Sequence, residues 1–138
     1  MGEDAPYAHT PSCRVLVLDF DERTLIALQQ VLEEAGFNAT TTWDVGEAFV
    51  YLERQRFDAI LVGDHPPEID AYAIVRRLQN APRHVPCIVM HAARQLTDAP
   101  KLNGLVATIP GCATAEILGQ LQQHFRRAAL QTTPPSTL

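Results

Sequence analysis

The chain has 138 residues, 46% of them hydrophobic and 20% charged, a profile that fits one folded domain and excludes both a disordered chain and two ordinary domains. A formal net charge of −5 argues against a nucleic-acid surface on this unit, because affinity for phosphates is carried mainly by Lys and Arg. No apolar run approaches the roughly 20 residues of a membrane-spanning helix, and the first 13 residues have neither the basic start nor the apolar centre of a signal peptide; the expected location is the cytoplasm.

Residues 1–13 mix Gly, Pro, His and acidic residues without an apolar period and read as a flexible segment. Residues 14–19 (Arg-Val-Leu-Val-Leu-Asp) form a short continuous apolar run, which suits a strand buried on both faces of a parallel sheet. The period then becomes helical: Leu25, Leu28, Leu32 and Ala35 share one stripe with Val31 beside it, Asp21 caps the start and Gly36 supplies a left-handed stop. Residues 38–42 are a brief β-branched strand. Asp44 and Glu47 then form a capping box ahead of a helix that buries Val45, Ala48, Phe49 and Leu52.

The pattern repeats down the chain. Residues 59–62 are a third apolar run, and the Pro66-Pro67 turn leads to a helix over about 70–80 with Ile74 and Leu78 inward. Residues 87–90 give a fourth strand, 92–101 a short helix weakened by Pro100, and 105–109 a fifth strand. Thr114 caps a last helix to about residue 129, with Ile117, Leu121, Phe125 and Ala128 on one side. Residues 131–138 (Gln-Thr-Thr-Pro-Pro-Ser-Thr-Leu) bury nothing and read as a linker or tail, leaving 14–130 as the folded unit. Five strands alternating with five helices imply an α/β fold: a parallel sheet covered on both faces, with right-handed crossovers. Sites in such sheets sit beyond the carboxyl ends of the strands, here Asp19, Gly63, Met90-His91 and Thr108-Ile109.

At those strand ends the chain resembles the receiver domains of two-component response regulators, from about Arg14 to Arg127. Val-Leu-Val-Leu-Asp-Phe-Asp (15–21) is similar to the opening strand and acidic turn, and Phe-Asp-Ala-Ile-Leu-Val-Gly (57–63) to the strand that delivers the phosphoacceptor. Pro67 and Asp70 match the following loop, Val-Pro-Cys-Ile-Val-Met-His (85–91) the fourth strand, and Thr108-Ile109-Pro110 the end of the fifth. The resemblance implies a flavodoxin-like (βα)5 sandwich with strand order 2-1-3-4-5.

It also implies a site whose chemistry is missing. A working receiver gathers carboxylates around a hard divalent cation and presents one more to a phosphoryl group. In this chain the acidic pair is Asp19-Phe20, the acceptor position is Gly63, the Thr or Ser position is His91, and the Lys position is Ile109. The expectation is therefore a pseudo-receiver with no catalytic residue, metal or cofactor. It would act as a regulatory module that binds a copy of itself or an output domain. The family's pairing surface falls here on 94–102, 105–109 and 114–129, with Leu118, Gln122 and Arg126 outward on the last helix.

Two alternatives stay open. Asp64 takes over as phosphoacceptor if a bulge at Gly63 turns it to the pocket side; or the altered pocket, lined by Phe20 and His91, takes a planar ligand such as a nucleotide-derived messenger. A half-buried His91 bonded to Asp19 or Asp64 is the plainer reading of that residue. Cys13, Cys87 and Cys112 are too few and too widely spaced for a disulfide framework or zinc knuckle, and the five histidines show no ligand spacing. No Gly-rich loop follows the first strand, and no G-x-S-x-G elbow occurs.

Overall fold

The computed structural model describes residues 13–80, 85–91, 105–110 and 114–132. The strands are β1 (Arg14–Leu18), β2 (Asn38–Thr42), β3 (Ala59–Asp64), β4 (Cys87–His91) and β5 (Leu105–Pro110). The described helices are α1 (Glu22–Glu34), α2 (Val45–Arg54), α3 (Ala71–Gln79) and α4 (Thr114–Thr132). All strand pairings are parallel, in the order β2-β1-β3-β4-β5. The short helix expected over 92–101 and both chain ends, 1–12 and 133–138, lie outside the described residues.

The sheet is a buried layer between two apolar clusters. Val15 and Val17 of β1 join Ala59 and Leu61 of β3 beneath α1 (Leu25, Leu28, Leu32) and α4 (Ile117, Leu121). The alternate residues Leu16, Leu18, Ile60 and Val62 face Ala48 of α2 and Ile74, Val75 and Leu78 of α3. This division follows from the strand period of two, which sends neighbouring side chains to opposite faces, and it explains why both runs are apolar throughout.

Local signals set the helix ends. Asp21, Asp44 and Asp70 are the N-caps of α1, α2 and α3, and their side chains accept from the backbone N–H of Arg23, Glu47 and Ala73. The box at α2 closes by a detour: the Asp44 N–H donates to Thr42 Oγ1 at 3.1 Å, and that hydroxyl donates to Glu47 Oε1. Helix α1 ends in a Schellman arrangement, with Gly36 at φ +97, the Gly36 N–H bonded to Glu33 O and the Phe37 N–H to Leu32 O. Thr114, expected as a cap, is instead the first helical residue of α4.

Candidate functional site at the mouth of the sheet

The ends of β1 and β3 lie side by side, and three residues there form one unit. Asp19 follows β1 and is only 2% exposed. Its backbone N–H donates to Thr42 O at 3.2 Å, which holds the residue at the sheet end. Its carboxylate Oδ1 accepts from the Asp21 N–H at 2.8 Å and lies 3.0 Å from His65 Nε2. Its Oδ2 points into the space above Gly63, where a Cβ built on that glycine would lie 2.0 Å from Oδ2 and 2.7 Å from Cγ. Gly63 has no positive φ, so the space a side chain would take is filled by the Asp19 carboxylate, which would have to shift to admit one.

His65 is the residue that sequence reasoning missed. Its Nε2 meets the Asp19 carboxylate, whereas the expected contact of the His91 side chain with Asp19 or Asp64 lies outside the described residues. The signal was available: Gly63 and His65 are two apart, so the strand period places both on the Asp19 side. His65 is fixed by an antiparallel bridge to Ile69, with reciprocal backbone bonds of 2.9 and 2.8 Å across the Pro66-Pro67-Glu68 turn. Burying Asp19 without a partner would be costly; two donors meet that cost.

Asp64 has a different job. Pairing of β3 with β4 runs without a shift through Gly63↔Met90 and Asp64↔His91, so the bulge needed to turn Asp64 to the pocket side is not formed. The Asp64 carboxylate accepts from the Ala71 N–H at 3.0 Å and clamps the start of α3. Burial, and then the charge of Asp64, raise the pKa of the Tyr72 phenol, which places that charge on the α3 side of the sheet.

Phe20 departs from its expected role. Half of its surface is exposed where the chain leaves β1. His91 and Ile109 occupy the ends of β4 and β5 by backbone register, Met90 pairing with Ile109 and His91 with Pro110, while their side chains lie outside what is described. On the last helix Gln122 is exposed, but Leu118 is half-buried against the α1–α4 cluster rather than outward, and the side chain of Arg126 lies outside the described residues.

The donor set does not fit a hard divalent cation, which needs several free oxygen ligands. Asp19 Oδ1 already serves two donors, the Asp21 carboxylate is engaged in capping α1, and Phe20 offers no oxygen. Among the described residues no three His, Cys, Asp or Glu side chains are gathered as metal ligands.

The comparisons with known proteins concern the frame in which this site sits. Residues 15–108 match the response regulator receiver domain family. The chain belongs to that family. Relatives include the transcriptional regulatory protein PrrA of Mycobacterium leprae and of Mycobacterium tuberculosis, each 29% identical over 130 residues, covering 91% of this chain and 55% of the relative. The chain therefore spans about half the length of the curated relatives it matches. The fold is shared with a CheY-like receiver domain from Methanospirillum hungatei (TM-score 0.74, 17% identity, 87% of this chain and 98% of that one). It is shared too with the receiver domain of an HD domain-containing protein from Pseudomonas fluorescens (TM-score 0.74, 19% identity, 84% and 96%). This receiver domain thus has a flavodoxin-like α/β fold with a parallel sheet, and no described helix is long and apolar enough to cross a membrane.

Proposed function

We propose that this receiver domain is a pseudo-receiver, a regulatory module that transmits a signal through protein contacts without being phosphorylated. One observation carries the reading: Asp19 projects into the space that a side chain at 63 would need, and it is held there by His65 and the Asp21 N–H. The residue that would ligate a cation and the residue that would accept a phosphoryl group are thereby merged into one closed contact. Asp64 does not replace the acceptor, because its carboxylate is engaged with the Ala71 N–H on the other face.

In this reading the receiver unit, expected over 14–130, extends to Thr132 because α4 runs that far, and the protein works in the cytoplasm as a non-enzymatic part of a two-component pathway. Transcriptional control is the proposed output, supported by the names of the mycobacterial relatives, with DNA contact left to another domain. The proposed partner surface is that of β5 and α4, used by a second copy or by the output domain; residues 94–102, which the resemblance adds to it, lie outside the described residues. Gln122 is exposed there, and β5 is an edge strand.

Acetyl phosphate with magnesium, followed by intact mass, tests the central part. The expected result is an unmodified chain; a phosphoryl adduct mapped to Asp64 overturns it. Light scattering of the full regulator and of a Gln122→Glu variant tests the surface, and a monomer at all concentrations with no contact to an output domain removes it.

A further inference from the structure

We propose that Phe20 and Trp43 anchor a docking surface for a basic amphipathic segment of a partner protein, at the opposite side of the sheet from the β5–α4 face. Phe20 is 50% and Trp43 65% exposed, although both rings follow directly on buried strands. Strands β1 and β2 run parallel with Leu18 opposite Thr42, and the Asp19 N–H bonds to Thr42 O, so the chain leaves both strands side by side. Neighbouring strands lie about 4.8 Å apart, which brings the two aromatic residues out at adjacent strand ends.

Both loops are short and fixed. The Asp21 N–H is tied to Asp19, and the Asp44 N–H to Thr42 Oγ1, so each aromatic residue is held between a strand end and a capped helix start. A fixed backbone limits the freedom lost on binding, and Trp is favoured at interface hot spots. Neither ring is needed by the cores beneath, which are complete without them.

Charge selects the occupant. The same two loops and helix starts carry the exposed carboxylates Asp21, Glu22, Asp44 and Glu47, with Arg23 the one cation within those short stretches of chain. A second copy of the chain would bring acid against acid, and the chain as a whole carries −5. A segment with apolar side chains between Arg or Lys residues meets both demands, because cations pack on aromatic faces and pair with the surrounding carboxylates. The surface stands whether or not the domain is phosphorylated.

Trp43 is the sole tryptophan, so its emission reports this surface directly. The full chain is titrated with a synthetic amphipathic Leu/Arg helix peptide and with the same peptide carrying Glu for Arg. The Arg peptide should shift Trp43 emission saturably and the Glu peptide should not. Phe20→Ser should weaken binding about tenfold. The pair Glu22→Gln with Glu47→Gln should weaken it more than Glu33→Gln with Glu34→Gln, which removes equal charge at the far end of α1. Absence of a shift, equal response to both peptides, an unaffected Phe20→Ser variant or equal loss from both charge pairs overturns the proposal. Concentration-dependent Trp43 emission of the protein alone would overturn the choice of occupant.

Discussion

The bodies of β1 and β3 and the ends of the same strands follow different rules. In the bodies, Val15–Leu18 and Ala59–Val62 are nearly inaccessible and apolar on both faces, as any sheet between two helical layers demands. One residue further, the ends carry Asp19 and Gly63, whose fit depends on a single carboxylate, a missing Cβ and His65. The difference shows that the scaffold draws its stability from apolar burial that makes no reference to the chemistry at its mouth. The mouth can therefore be rebuilt while the frame stays.

Substitutions at the strand ends test that separation. Gly63→Asp should have the largest effect, because its Cβ meets Asp19 and its charge is buried beside another carboxylate; a loss of about 3–5 kcal/mol in urea unfolding is expected. Gly63→Ala should cost about 1–3 kcal/mol by overpacking. Asp19→Ala should cost a similar amount, about 1–3 kcal/mol, by leaving the Asp21 N–H and His65 without their acceptor. In the double variant the alanine at 63 should add almost nothing, since Oδ2 and Cγ are gone, and a double-mutant cycle reads that coupling directly. Additive losses would show that the two residues do not share the space.

Asp64→Ala should cost about 1 kcal/mol, as for loss of a helix-start acceptor, and should leave the Asp19–His65 contact intact by histidine NMR. The last effect lies in the strand body and is absent at neutral pH. Burial pushes the Cys87 thiol from its ordinary 9.0 up to about 12. Above the ordinary value the unfolded chain releases this proton while the folded chain keeps it, so folding stability should fall as pH rises from about 9 toward 12. A Cys87→Ala variant should lack this part of the pH dependence in urea unfolding.

Much of the frame was legible because its signals are local. Residues 38–42 gave β2 as observed, Asp21 and Asp44 capped as their positions foretold, and Gly36 stopped α1. Periodicity identified Leu25, Leu28, Ile74, Leu78, Ile117 and Leu121 as core, since burial follows the face. It failed at Leu118, where the margin of the helix stripe still touches the α1–α4 cluster.

The site was legible only as a set of absences. Gly63 and Asp19 could be picked from the strand ends, but their contact depends on a rotamer, and a rotamer leaves no trace in residue order. His65 lies beyond the apolar run of β3 and outside the positions that the family motif marks, so residue order alone does not single it out. Phe20, expected to line the altered pocket, stands half exposed because it lies in the loop after the sheet ends.

The central claim is that Asp19, Gly63 and His65 close the phosphoryl site. Titration of the labelled protein with magnesium and beryllofluoride, read at the backbone amides of Asp19, Gly63 and Asp64, tests it most directly. The account predicts no saturable shift at any of them, whereas a saturable magnesium-dependent shift centred on Asp19 and Asp64 would contradict it.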